Sequence, residues 1–285
     1  MRWGSDGPQL NVDREAKPLV GRTVFLPREI NDHLTAALTD AGAHVHAHPL
    51  TRTVLRDMFH VKHALAQIER GSYSWIIITS VRTIKALAAA AAGEPYSDYP
   101  NYEPLRTVIQ HAIASGTQFA ALGRKTTEAC ERVGASPTVS VEKHATAEDL
   151  LAAFTSGPAC QYNARALIPA SALARPVLAD GLANQGWIID RVDAYTTEPL
   201  DSLPAHIGAG WKAGLFDAVV FTAGSNARAA VELLGVPAAS TRVVTFGEPS
   251  AQAATDAGLH VNAIAPTQDA EGIITALQIA LNDKE

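Results

Sequence analysis

Long hydrophobic runs are missing from this chain. The longest near-pure apolar stretch, Ala86 to Ala92, is far shorter than the ~20 residues that span a bilayer. The opening segment, MRWGSDGPQLNVDREAKPL, also holds no apolar core of the secretory type. Neither membrane insertion nor export is expected, and a cytoplasmic location follows. Cysteine is scarce too. Cys130 and Cys160 have no CxxC spacing and sit beside small or apolar residues, so buried structural thiols are expected. Charged residues make up only 18% of the chain, against roughly 25% in an average soluble domain. With 23 Lys+Arg against 29 Asp+Glu, the net charge is −6. That balance disfavours attraction of the whole surface to nucleic acid or to an anionic membrane.

Several chemical signatures are absent as well. GxGxxG and GxxxxGK[ST] do not occur, and Gly123-Arg124-Lys125-Thr126 lacks the leading glycine of a phosphate loop, so nucleotide binding is not expected. No GxSxG elbow or ordered Ser/His/Asp set stands at strand ends, which removes a serine hydrolase. His44, His46 and His48 alternate, and His60 and His63 form HxxH. Without a Cys or carboxylate at ligand spacing they read as a solvated face and not a metal site. No metal or other cofactor is expected. Nor does a helix-turn-helix tail follow Leu281.

What is present is 285 residues with 47% hydrophobic composition, enough for two domains with substantial cores. From about residue 20, short β-branched runs alternate with Ala- and Leu-rich helical stretches. The runs are Thr23 to Leu26, Trp75 to Thr79, Phe119 to Leu122, Thr138 to Val141, Ala166 to Pro169, Ala218 to Thr222, Val243 to Phe246 and Val261 to Ile264. After the first, a helix is predicted from Ile30 to Ala41, with Leu34, Ala37, Leu38 and Ala41 on one face and Gly42 as its stop. Continuous apolar strands, each followed by a helix, indicate α/β architecture with parallel sheets covered on both faces.

The chain also repeats itself. WIIITSVRTIKAL is similar to AVVFTAGSNARAAVELL, FAALGRKTTEACERVGA to VVTFGEPSAQAATDAGL, and TAEDLLAAF to DAEGIITAL. Gly123 to Ala147 spans 24 positions where Gly247 to Ala270 spans 23, but Thr79 to Gly123 spans 44 where Thr222 to Gly247 spans 25. The first copy therefore carries 19 extra residues, within 93–117, whose Tyr and Pro content suggests a surface excursion ending in a short helix. A weaker match of VFLPREINDHLTAALTDAG with ALIPASALARPVLADGLANQG makes each copy four strand–helix units. Two similar α/β domains follow, folded either contiguously or with the first unit of each copy docked onto the other. His44 to Thr53 and Ile188 to Pro199 are extended, polar-alternating and proline-bearing, and read as linkers instead of core strands.

In open parallel sheets, ligands bind beyond the carboxyl ends of the strands, where helix starts present free N–H groups. Four such places carry small hydroxyl residues: Thr79-Ser80-Val81-Arg82, Gly123-Arg124-Lys125-Thr126-Thr127, Thr222-Ala223-Gly224-Ser225-Asn226 and Gly247-Glu248-Pro249-Ser250. The same groups serve either to cap a helix or to bind a carboxylate. Their matching positions in both repeats favour a shared ligand cleft.

Taken in order, six pieces resemble the uroporphyrinogen-III synthase family over Gly21 to Leu281. They are the Pro-Arg-Glu turn at Arg28, WIIITSVRTIKAL, ALGRKTTEACERVGA followed by TAEDLLAAF, RVDAYTTEP, FDAVVFTAGSNARAAVELLG, and FGEPSAQAATDAGLHV followed by DAEGIITAL. The resemblance implies the exchanged arrangement. Domain 1 would be 20–47 plus 198–285 and domain 2 would be 54–190, after a tail at 1–19 and with linkers at 48–53 and 191–197. It further implies cofactor-free closure of hydroxymethylbilane to uroporphyrinogen III, with inversion of ring D and loss of water, by a monomer. Transient contact with hydroxymethylbilane synthase, and none with nucleic acid or membrane, goes with that role. A non-catalytic two-domain sensor of a tetrapyrrole or other small polyanion is the alternative.

Carried over residue by residue, the resemblance puts Tyr195 at the linker tyrosine that assists departure of the hydroxyl. Lys125, Thr126 and Thr127 lie at one cleft-facing turn and Ser250 at the corresponding one. Ser80, Ser171, Ala223 and Ser225 lie at other strand ends, while Arg28 and Arg82 would pair with acetate or propionate groups. Four departures stand out: Pro27 before the Arg, Ser171 where Gly is usual, Ala223-Gly224 in place of a Ser-Pro type turn, and Glu248-Pro249, which sets a carboxylate beside a carboxylate-binding turn.

Overall fold

Runs such as Trp75 to Ile78 and Ala218 to Phe221 are apolar at every position, a pattern required only of a strand buried on both faces. The computed structural model describes residues 17–28, 33–142, 146–155 and 164–282. Its elements run β1 (Thr23–Leu26), α1 (His33–Asp40), β2 (His44–Ala47), β3 (Thr51–Leu55), α2 (Met58–Glu69), β4 (Trp75–Ile78), α3 (Val81–Ala92) and α4 (Glu103–Ala114). They continue with β5 (Gln118–Leu122), α5 (Arg124–Arg132), β6 (Val139–Val141), α6 (Ala147–Thr155), β7 (Arg165–Ser171), α7 (Val177–Ala183), β8 (Ile188–Pro199) and α8 (Ala205–Lys212). The chain closes with β9 (Ala218–Phe221), α9 (Gly224–Leu234), β10 (Arg242–Thr245), α10 (Glu248–Asp256), β11 (Ala263–Ile264) and α11 (Ala270–Asn282).

The contacts divide these elements into two compact units. Unit 1 is Met1–Arg52 with Pro199–Glu285, and unit 2 is Thr53–Glu198. Unit 1 is built on a sheet of order β11-β10-β9-β1-β2, with every pair parallel. Val24, Leu26, Val220 and Val244 face one apolar cluster with α1 and α11, while Phe25, Val219, Phe221 and Val243 face the other with α8 and α9. Gly42 ends α1 at φ 98°, in the left-handed region, and a Cβ there would lie 2.8 Å from Val20 Cγ2. The helix predicted to begin at Ile30 is described from His33, its first residues lying outside the described ones.

Unit 2 carries the sheet β3-β8-β7-β4-β5-β6. Successive residues of β4 point to opposite faces. Ile76 and Ile78 join a cluster under α2, α3 and α4, and Trp75 and Ile77 join one under α6 and α7. The second cluster is anchored by Phe154, edge-on to Trp75 at 5.1 Å and to Trp187 at 5.3 Å. Cys130 lies buried in the first, where burial and, less strongly, the charge of Glu131 push its thiol up to about 12. Cys160 lies outside the described residues.

Two expectations need correcting. The segment 93–117 is more than a surface excursion, because α4 is three turns long and buries Leu105, Ile109 and Ala112 against α2 and α3. Arg106 also ties it to the Arg132 carbonyl at the end of α5. The two stretches read as linkers are ordered sheet strands. β2 pairs with β1 along its whole length, and β8 pairs with β7 from Arg165 to Ser171 and neighbours β3 on its other side. Their polar alternation has local causes: His44 and His46 lie on the exposed face of an edge strand, and Asp190 of β8 pairs with Arg165 at 2.7 Å. The unit boundaries at 52/53 and 198/199 fall within β3 and at the end of β8, two strands running in opposite directions, with Arg56 N–H on Ala194 O and Leu200 N–H on Leu50 O.

Candidate functional site

Strand order locates a crevice in each unit. In unit 2 the chain leaves β4 through α3 toward β5 and leaves β7 through α7 toward β8, in opposite directions along the sheet. The two helices consequently cover opposite faces, α3 with Ile84 and Leu87 and α7 with Leu178 and Leu182. Their starts diverge above the β4/β7 junction and leave a crevice there. In unit 1 the same reversal occurs between β9 and β1, followed by α9 and α1 on opposite faces.

The sequence-predicted residues distribute around these two points. In unit 2, Ser80 ends the turn after β4 and caps α3, its hydroxyl oxygen accepting from Arg82 N–H at 3.2 Å. Ser171 ends β7 and accepts from Leu173 N–H at 3.2 Å. Both oxygens hold their own turns and leave their O–H groups to donate outward. A bulge between Ala170 and Ser171 shifts the register so that Ser171 lies opposite Tyr195 of β8, whose carbonyl accepts from Ala172 N–H at 2.9 Å. Ser80, Ser171 and Tyr195 thus come together at one end of adjacent strands. Tyr195 is only 5% exposed and packs in the α3-side cluster. Arg82 is exposed beside Ser80. A cavity of about 150 Å³ opens at this end, lined by Thr79, Ile168, Ala170, Arg175 and Arg191.

One strand over, Gly123 turns β5 into α5 with φ 87°, which a side chain would strain. Thr126 and Thr127 both direct their N–H groups back to the Gly123 carbonyl. Thr126 is 5% exposed and sits beneath the first turn, Thr127 is half-buried, and Lys125 is fully outside.

In unit 1, Arg28 follows β1, half-buried, with its N–H on the Leu26 carbonyl at 2.8 Å. Ala223 and Ser225, both half-buried, flank the start of α9, and Ser250 lies 8% exposed under the first turn of α10. Glu248, the carboxylate that departs from the family pattern, is exposed in the first turn of α10, where it complements the helix dipole. No side-chain cap closes the starts of α5, α9 or α10, so N–H groups of these first turns remain as neutral donors for an anion.

Asn226 closes the turn Thr222-Ala223-Gly224-Ser225-Asn226 named from the sequence, where it has no role of its own. Its Nδ2 donates to the Pro27 carbonyl at 3.1 Å and its Oδ1 accepts from Thr51 Oγ1 at 3.1 Å. One amide thereby joins the β1 exit, β3 and α9, which nothing in the local spacing signals, because Pro27 lies 199 positions away. Replacing Asn226 by Ala removes both bonds and strands a carbonyl, for an expected loss of about 1–3 kcal/mol. Urea unfolding measures it, and a loss below about 0.5 kcal/mol would show that the amide does not hold this junction. Among the described residues, no group of three or more His, Cys, Asp or Glu could hold a metal ion, and no helix is long and apolar enough to cross a membrane.

Comparison with known proteins bears on this arrangement. A family model described as uroporphyrinogen-III synthase HemD matches residues 32–275. A mutant uroporphyrinogen III synthase of the extremely thermophilic bacterium Thermus thermophilus superposes with a TM-score of 0.57 at 16% identity, covering 92% of this chain and 100% of that one. The uroporphyrinogen-III synthetase of Helicobacter pylori 26695 gives 0.58 at 12% identity, with 89% and 97% covered. A search of curated proteins finds no significant match. At these identities the solved structures speak for the α/β fold with its two sheets and their parallel cores, and the family model, spanning most of the chain, for descent. The chain belongs to the uroporphyrinogen-III synthase family.

Proposed function

We propose that this protein closes hydroxymethylbilane to uroporphyrinogen III, inverting ring D and releasing water, as a hydro-lyase of tetrapyrrole biosynthesis. The observation that carries the reading is the meeting of Tyr195 with Ser171 and Ser80 at the strand ends of unit 2's crevice.

The substrate's chemistry fits such groups. Eight carboxylates on four pyrroles call for many donors, and a chain of net charge −6 supplies them as backbone N–H and hydroxyl groups. The uncapped starts of α5, α9 and α10, with the hydroxyls of Thr126, Ser225 and Ser250 beside them, are such donors. Arg28 and Arg82 add a charged partner at one crevice of each unit.

In the first step the C–O bond of the hydroxymethyl group breaks, with its electron pair going to oxygen. The Tyr195 phenol gives that oxygen its proton and water departs. The pyrrole nitrogen's lone pair fills the vacated position, giving an azafulvenium ion that the Tyr195 phenolate balances in charge. Ring D then attacks through its substituted carbon to form a spiro intermediate, which fragments and recloses. The proton lost on rearomatisation restores the phenol. Unassisted closure takes the nearer carbon and yields the type I isomer, so the protein's main contribution is orientation.

Supplying hydroxymethylbilane to purified protein and resolving the product isomers tests the reading. Type III is expected to dominate, and type I alone, at the unassisted rate, would sink it.

A further inference from the structure

We propose that Arg191 of β8 is a positioning residue: its guanidinium clamps the turn that follows β7, so that the Ser171 hydroxyl keeps a fixed place opposite Tyr195. The inference rests on the functional reading above and adds a residue to it.

The turn has little else to hold it. Of Ala172, Leu173 and Ala174, only Leu173 carries a large side chain, and it is 57% exposed. Hydrogen bonds must therefore fix this segment in place of packing. Within the turn, Ala174 N–H donates to the Ser171 carbonyl at 3.0 Å and Leu173 N–H to Ser171 Oγ at 3.2 Å. Two residues of β8 hold it from outside. The Tyr195 carbonyl accepts from Ala172 N–H at 2.9 Å, and Arg191 Nη2 donates to the Ser171 carbonyl at 3.2 Å and to the Ala174 carbonyl at 3.1 Å.

The geometry is that of a clamp more than of an ion pair. Nη2 carries two hydrogens, and the two carbonyls take both. Asp193 Oδ1 lies 3.3 Å from Arg191 Nη2 but forms no hydrogen bond among the described residues, so it balances the charge. A charged donor makes the stronger kind of bond to a carbonyl, and here one nitrogen ties the first residue of the turn to the fourth. The bulge gives this tie its importance. Arg191 lies opposite Ile168, before the bulge, whereas Tyr195 lies opposite Ser171, after it. The clamp thus refers the turn back to the regular part of the sheet, at the point where the ladder has slipped.

The test is a double-mutant cycle built on Asp193→Asn, which leaves no carboxylate unpaired when Arg191 is replaced. Arg191→Met, Ser171→Ala and the pair are assayed with hydroxymethylbilane for kcat, KM, isomer ratio and Tm. Asp193→Asn alone keeps both carbonyl bonds and is expected to turn over at the wild-type rate. Adding Arg191→Met is expected to lower kcat about tenfold and raise the type I share, with KM within about twofold, because a loosened hydroxyl still binds substrate but orients it poorly. On Ser171→Ala the same replacement is expected to change nothing further. Undiminished kcat after Arg191→Met overturns the proposal. So does a loss confined to KM or Tm, a loss already complete in Asp193→Asn, or an equal loss with and without the Ser171 hydroxyl. A wild-type protein that forms no type III isomer sinks the functional reading itself, whereas active wild type with any of those outcomes sinks only this inference.

Discussion

Tyr195→Phe is expected to slow formation of the type III isomer by about 10²-fold, the lower end of what a positioned general acid contributes. The ring is buried among the α3-side residues. The substitution therefore keeps the packing and removes only the proton donor, so Tm should stay within a degree or two. A stopped assay that oxidises the product to porphyrin and separates the isomers measures both rate and ratio. The hydroxymethylbilane consumed then closes without help, and the type I share should rise in proportion. Unchanged turnover would take Tyr195 out of the chemistry and leave it as a packing residue at the Ser171 bulge.

The second large effect concerns stability. Phe154 is fully buried on α6 and lies edge-on to both Trp75 and Trp187. Phe154→Ala removes one member of this aromatic set and leaves a cavity beneath α6 and α7, for an expected loss of about 3–5 kcal/mol. That is a large part of the ~5–15 kcal/mol by which domains are usually stable. Urea titration followed by the fluorescence of Trp75 and Trp187 reads it directly. A loss under about 1 kcal/mol would mean that the site collapses around the missing ring and that the set is not a fixed core.

How much of this is legible in the sequence varies with the kind of interaction. The strand from Thr23 to Leu26 can be read to the residue, and those beginning at Trp75 and Ala218 to within one. A strand covered on both faces must be apolar throughout whatever its neighbours are. β8 reads as a linker because its hydrogen bonds to β7 and its neighbour β3, as well as the Arg165 partner of Asp190, come from segments far along the chain. α4 reads as a short surface helix because Leu105, Ile109 and Ala112 need α2 and α3 before their spacing counts as a buried face.

The candidate site divides in the same way. Its turns are recognisable because glycine and hydroxyl residues at the junction of a strand and a helix have few other uses. The two bonds of the Asn226 amide do not stand out, because its partners Pro27 and Thr51 lie on another part of the chain.

By itself, then, the sequence determined the α/β class, the repeat and the positions of the helix-start donors, all properties of local composition and period. Only the tertiary structure decided the strand order, and with it where each sheet reverses direction. It alone placed Ser171 opposite Tyr195 through the bulge and drew β2 and β8 into the sheets. Each of these depends on pairing between residues remote in the chain, and backbone hydrogen bonds leave no mark in side-chain composition.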